Sequence, residues 1–480
     1  MTETSGPEQF SKMAAPVTAA PARGLGLLVP VAALLTSVAF LLAGFGLQQT
    51  LLPIRAGLEG FSSVEIGLLG SSYFSGYVIG CLFVPRLIIR VGHIRTFTAL
   101  IALASIAALI HAIIITMPMW VACRLITGIC LSGLYLIIES WLNERADDQT
   151  RGTIMASYIT VNLAFMTVGQ LLVTLFDPML FVQFSVIAIL MSMAALPVAL
   201  TKAPPPAPVT LVRFRPHALF ALSPAGIVGV FLTGVAHGAF WSLGPNFGQQ
   251  IGLSVSQTAL FMGLAVIGGA CVQYPVGLLS DRMDRRLVSI GLASVATLLG
   301  VVLSGLIPLS GTALLLIAFF FGSTLLPIYT VLAAHVFDYT KSEGYVEVSA
   351  SLNLLFGVGS ILGPLAAAFL MEVLAPGALF AFMAAVNALI ACYVSYRVTQ
   401  RAPLTTEEKE DYKLSNVAPV PVVGDAEAFE ESPLVVEPEP GESGPAAYDV
   451  EAALAIHAET EEEGLLDPSI SQDFEKDASQ

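Results

Sequence analysis

Residues 97–141 read FTALIALASIAALIHAIIITMPMWVACRLITGICLSGLYLIIESW, forty-five residues that carry only two charges, Arg124 and Glu139. A helix needs about 20 predominantly apolar residues to cross the ~30 Å hydrocarbon core of a bilayer. The stretch therefore predicts two successive membrane helices, near 97–117 and 119–141.

Working outward, runs of the same kind recur from Gly26 to about Val398. They predict spans near 26–50, 63–84, 153–175 and 178–200 beside the first two, and a second set near 218–243, 256–279, 287–307, 312–335, 346–371 and 375–398. The whole chain is 55% hydrophobic and 12% charged over 480 residues, with a mean hydropathy of +0.79. Soluble proteins carry roughly 25% charged residues, so a soluble single-core fold is excluded. The expected fold is an all-α integral membrane protein of twelve transmembrane helices.

The formal net charge of −15 is concentrated at one end, because residues 401–480 hold 21 acidic and four basic residues. The loops between the spans are basic. With the N-terminus inside, 15 of the 17 basic residues before position 401 fall on the cytoplasmic side, as the positive-inside rule requires. Shifting the register by one helix scrambles that segregation. Both termini are thus expected in the cytoplasm, with the chain in a bacterial-type inner membrane. Lys12 and Arg23 precede an apolar stretch longer than the 7–15 residues of a signal-peptide core, so residues 1–25 read as a disordered lead-in rather than a cleaved signal. Residues 26–200 and 218–398 form two six-helix halves. Residues 201–217, with Pro204-Pro205-Pro206, read as a cytoplasmic linker. Residues 399–480, acidic and poor in aromatics, read as a disordered tail.

The halves repeat at an offset of 191–194 residues. Asn162-Leu163-Ala164-Phe165 answers Asn353-Leu354-Leu355-Phe356; Gly128 and Tyr135 answer Gly322 and Tyr329; Arg90 answers Arg282. Parallel halves with a site between them near mid-depth are an established transporter plan.

The loop after the eighth span, Gly277-Leu278-Leu279-Ser280-Asp281-Arg282-Met283-Asp284-Arg285-Arg286, resembles the G-x-L-x-D-R-x-G-R-R motif of the major facilitator superfamily, with Asp284 in place of its second glycine. The loop after the second span, Pro85 to Arg95, resembles the same motif with Pro85 for the first glycine and Ile89 for the aspartate. Arg124-Leu125-Ile126-Thr127-Gly128 resembles the superfamily's R-x-x-x-G motif. The stretches Ser71 to Gly76, Ile138-Glu139-Ser140, Val168 to Leu172 and Val358 to Pro364 are similar to the YcaD-like bacterial branch. The resemblance covers roughly residues 26–398 and implies secondary transport by alternating access. The fifth span lacks the G-x-x-x-G-P-x-x-G-G signature of drug/proton antiporters in that superfamily.

Arg90, Glu139, Asp281, Arg282 and Arg285 stand at inner helix ends, where charge pairs could hold one access state. Glu139 is the expected partner of Arg90, since Ile89 offers no carboxylate. Arg124 has two readings: a cation facing the interior, or one that snorkels past Trp120 to the outer surface. Polar groups inside spans are the candidates for substrate contact: Gln48, Tyr73, Tyr135, Asn162, His237, Trp241, Tyr329 and Asn353, beside Arg124. Amides and aromatics suit a neutral or mildly anionic polar solute, and His237 could titrate near neutral pH.

The five cysteines lie inside apolar runs without metal-ligand spacing, and no G-x-x-x-x-G-K-[ST] loop is present for ATP. No cofactor, metal or nucleic acid is expected, nor an enzyme. The expected partners are the bilayer, a small solute and a proton as coupling ion, with the acidic tail as a surface for a cytoplasmic partner. Two alternatives stand beside the carrier: a transporter-fold sensor signalling through that tail, and a drug or metabolite efflux carrier.

Overall fold

A computed structural model describes residues 31–145, 150–200, 216–306, 311–340 and 344–400. The expectations for the lead-in, for the linker up to residue 215 and for the tail beyond residue 400 lie outside these residues.

Among the described residues, twelve helices are long and apolar enough to cross a membrane. In chain order they are α1 (Ala32–Leu58), α2 (Ser63–Val91), α3 (His93–Ile113), α4 (Met117–Glu144), α5 (Arg151–Leu172), α6 (Val182–Ala199), α7 (Pro224–Gln250), α8 (Val255–Arg282), α9 (Arg285–Val301), α10 (Gly311–Phe337), α11 (Tyr345–Val373) and α12 (Ala378–Gln400). The ends of α1, α2, α4, α7 and α8 lie three to eight residues past the predicted spans, since a helix continues into the interface once its apolar segment has crossed, while α3, α5, α6 and α9 end short of them. The start of the seventh is a correction. A separate short helix, Pro216–Leu222, precedes it, and the chain breaks at Ser223-Pro224. The Ser223 side chain accepts from the Gly226 amide, while Pro224, in the first turn, has no amide to leave unpaired.

The helices alternate in direction, so the start of α1 and the end of α12 share one face, here termed the terminal face; the other is the distal face. The internal repeat is visible in backbone detail, at an offset of 192. Gly60 and Gly252 both adopt positive φ, 85° and 83°, in the short distal turns after α1 and α7. Ser62 with Glu65, and Ser254 with Gln257, then form matching capping boxes on α2 and α8. Each satisfies two otherwise orphaned donors.

Close packing repeats in the same register. Without a hydrophobic drive between helices in lipid, small residues set how near two backbones come. A Cβ on Gly76 would collide with the Leu125 carbonyl, and one on Gly128 with that of Tyr73, joining α2 to α4. Their counterparts are Gly268 against Phe319 and Gly322 against Ala265, joining α8 to α10. Likewise Gly46 meets Met166 and Gly169 meets Ala43 between α1 and α5, as Gly238 meets Ser360 and Gly363 meets Val235 between α7 and α11. Two copies of one six-helix plan account for every one of these pairs.

The halves meet through α2 on α11 and α7, and α5 on α8. Hydrogen bonds between described residues tie them together. Gln249 Nε2 donates to the Ile54 carbonyl at 3.0 Å and Gln250 Nε2 to Ser63 Oγ at 2.8 Å. The Ser63 amide donates to Glu372 Oε2 at 3.0 Å, and Ser71 Oγ to the Ile361 carbonyl at 2.6 Å. Three lie at distal helix ends and the fourth nearer mid-depth.

Candidate functional site

A cavity of about 190 Å³ lies between the halves at mid-depth. A cavity needs roughly 10–15 Å³ of such space to hold one water, so this one has room for several. Both halves contribute: Phe45 and Gln49 from α1, Tyr73, Phe74 and Tyr77 from α2, Tyr135 from α4, and Asn162 and Met166 from α5. His237 and Trp241 of α7, Gln273 of α8, Tyr329 of α10 and Phe356 of α11 complete the wall. Six of the residues expected from the sequence therefore converge here: Tyr73, Tyr135, Asn162, His237, Trp241 and Tyr329.

The repeat carries into the polar wiring. Tyr329 Oη donates to Asn353 Oδ1 at 2.9 Å, and the matching Tyr135 interacts with Asn162, which also engages Tyr158. Asn353 thus positions a wall residue from behind the surface. His237 Nε2 donates to the Leu325 carbonyl at 3.1 Å and its ring meets Phe356 edge-on, which fixes the imidazole at the wall.

Gln48 is a correction. It is fully buried and does not line the cavity, whereas its neighbour Gln49 does. Successive residues on a helix point about 100° apart, so one of the two amides must turn away. Phe45, Phe74 and Met166 also line the cavity, and the sequence carries no sign of it, because an apolar wall residue reads the same as a lipid-facing one.

Arg124 faces the interior and does not snorkel. It is 4% exposed. Its Nη2 donates to Gln49 Oε1 at 2.7 Å, and its guanidinium carbon lies 4.5 Å over the Tyr73 ring centroid, a cation–π contact. A second, much smaller pocket of about 10 Å³ adjoins it on the distal side, and Gln49 and Trp241 line both spaces.

The expected pair of Arg90 and Glu139 is not formed. Arg90 is exposed at the end of α2. Glu139 is 2% exposed and accepts from Tyr158 Oη at 3.2 Å through Oε1, while Oε2 has no partner. Arg90 stands exposed at its helix end, whereas the Glu139 carboxyl is buried beside Tyr158, and among the described residues no ion pair joins them.

At the terminal end of the second half, Arg285 bridges two helices. Its Nη1 meets Asp281 Oδ1 at 2.9 Å and its Nε meets Asp338 Oδ2 at 2.8 Å. Asp284, the departure from the motif's glycine, caps α9 by accepting from the Arg286 amide at 3.0 Å and pairs with the Arg286 side chain at 2.7 Å. Burial pushes the Asp284 carboxyl up, but the hydrogen bonds and charge of Arg286 outweigh it and hold it below the usual carboxylate range. Asp281 and Arg282 are exposed. No hydrogen bond or ion pair among the described residues carries Arg90, Asp281 or Arg282 across to the opposite half.

Comparison with known proteins agrees with this architecture. The chain is 26% identical over 360 residues to the uncharacterised MFS-type transporter YcaD of Escherichia fergusonii, covering 75% of this chain and 93% of that one. It is 27% identical over 368 residues to the YcaD of Shigella flexneri, with the same coverage. Among solved structures, the nucleoside transporter NupG superposes with a TM-score of 0.62 at 15% identity, over 76% of this chain and 98% of NupG. A bacterial homologue of the human lysosomal transporter Spinster gives 0.63 at 12% identity, over 82% and 100%. The sequence model of the Major Facilitator Superfamily matches residues 32–344 and 227–438. With twelve membrane helices in two copies of one plan, this multi-pass membrane protein belongs to the Major Facilitator Superfamily of transporters.

Proposed function

We propose that the protein is a secondary carrier that moves a small solute with polar groups by alternating access, coupled to protons, with both termini in the cytoplasm of an inner membrane. The observation that carries the reading is the mid-depth cavity, walled by amides and aromatics of both halves and bounded by hydrogen bonds between their distal ends. With the termini inside, those bonds close the outer side, and the separated Arg90, Asp281 and Arg282 belong to an inward-facing state. Rocking the halves would break the distal bonds and bring the terminal ends together, where the exposed Asp281 and the arginines could pair.

Glu139 is the proposed proton carrier. Its carboxyl lies among Tyr77, Tyr135, Tyr158 and Cys81, with no cation bonded to it. A buried carboxylate without a cationic partner is far costlier than the neutral acid. One turn of α4 separates it from Tyr135 at the cavity wall, so binding there can reach it.

The test is a thermal-shift screen of the purified protein against metabolites, followed by counterflow in proteoliposomes. The expected result is that solutes which raise the Tm also exchange across the membrane. Stabilising solutes that are bound but never exchanged would contradict a carrier.

A further inference from the structure

Once the cavity wall is accounted for, Arg124 is left with donors that nothing in the protein uses. Its Nη2 is bonded to Gln49, but Nε and Nη1 are buried without a hydrogen-bond partner. Among the described residues no carboxylate pairs with it. Glu139, the acid on its own helix nearest mid-depth, is 15 residues away, roughly 22 Å along the axis. An unpaired cation in the membrane interior is expensive and marks a binding or transport pathway by default. The pocket beside it, shared by Gln49, Trp241 and Ser242, has about 10 Å³ of space, close to the minimum for one water-sized group.

We propose that Arg124 is the anchor of a subsite for the carboxylate of a monoanionic organic solute whose apolar body lies against Phe45, Tyr73 and Phe356 in the larger cavity. Gln49 and Trp241 form the doorway between the two spaces. A carboxylate accepts two parallel N–H bonds from one edge of a guanidinium, so here it would pair one of the unused donors, Nε or Nη1, with the second N–H of Nη2, whose other N–H is held by Gln49. One cation balances one negative charge, whereas a dianionic phosphate would leave a net charge buried. The tyrosine ring below the guanidinium keeps the cation in place when no anion is bound. The inference rests on the carrier reading and gives it a substrate class.

The test uses full-length purified protein and matched probes: benzoate, octanoate and indole-3-acetate, each with its amide, and chloride. Ionic strength is held constant. In the wild type at least one acid is expected to raise the Tm saturably, while its amide and chloride do not. Arg124→Gln should weaken that acid by about tenfold or more, since charged hydrogen bonds are lost, and should leave the ligand-free Tm unchanged or higher. Should Arg124→Gln fail to fold, Arg124→Lys serves, and it too should weaken the acid, because an ammonium lacks the planar fork. Equal stabilisation by acid and amide, by chloride, or by no acid at all would overturn the subsite, as would an undiminished response in the variants. None of these outcomes touches the carrier reading, which counterflow decides.

Discussion

Glu139→Gln is expected to abolish solute accumulation driven by a pH difference while leaving counterflow exchange intact. Glutamine has nearly the size of the acid and can still accept from Tyr158 Oη, the bond made at 3.2 Å in the native protein. What it cannot do is release a proton. For one proton per solute, a difference of about one pH unit supports at most about tenfold accumulation, equivalent to about 1.4 kcal/mol. The variant should stop at equal concentrations on both sides. Exchange needs no net proton movement and should persist, because the cavity wall at Tyr135 and Asn162 is unchanged. Accumulation at the wild-type level in Glu139→Gln would move the proton to another group, with His237 at the wall as the next candidate.

The second large effect concerns the distal closure. Gln250 Nε2 and Ser63 Oγ lie 2.8 Å apart across the halves. In a Ser63→Cys/Gln250→Cys protein lacking the native cysteines, a short bismaleimide should reduce flux to the level of protein-free vesicles. In the proposed cycle the link spans a contact that must open on every turnover, so no partial activity should survive in the linked fraction. Ser105→Cys/Ser192→Cys is the control. Those hydroxyls are 3.1 Å apart but both belong to the first half, so linking them should leave flux near that of the untreated protein. Normal flux through the distally linked protein would mean that the halves do not separate there.

How far the sequence foretold this arrangement depends on the kind of signal each feature leaves. Crossing a bilayer imposes length and polarity on every span, which is why twelve helices were legible. The repeat was legible too, because duplicated chemistry keeps duplicated residues: Tyr135 and Asn162 return as Tyr329 and Asn353, and each tyrosine lines the cavity and is tied to its asparagine, although only Asn162 itself reaches the wall. Which side of a helix faces the cavity was not legible. Lipid and packed interior are both apolar, so the helices have no polar stripe to orient them, and Gln48 could not be told from Gln49. Arg124 stood five residues from the outer end of its predicted span, within snorkelling reach. Only the positions of Gln49 and Tyr73 beside it decide for the interior. Glu139 and Arg90 looked like partners because both were placed at inner helix ends, but burial beside Tyr158 separates them. The break at Ser223-Pro224 was written in the sequence as a serine cap followed by proline, yet the hydrophobic run continues across it and masks the boundary.

The central claim is that two rigid halves rock about the mid-depth cavity and that the distal side is closed in the state described. Double electron–electron resonance between spin labels at Leu58→Cys and Ile251→Cys tests it most directly. Both native side chains are exposed at distal helix ends, one on each half. In the ligand-free protein at neutral pH the distribution should be dominated by a short distance. Acidification, or a stabilising solute, should populate a second, longer distance while a pair within one half, such as Leu58→Cys with Leu175→Cys, stays fixed. A single distance between the halves, unmoved by pH and by every stabilising solute, would contradict alternating access in this protein.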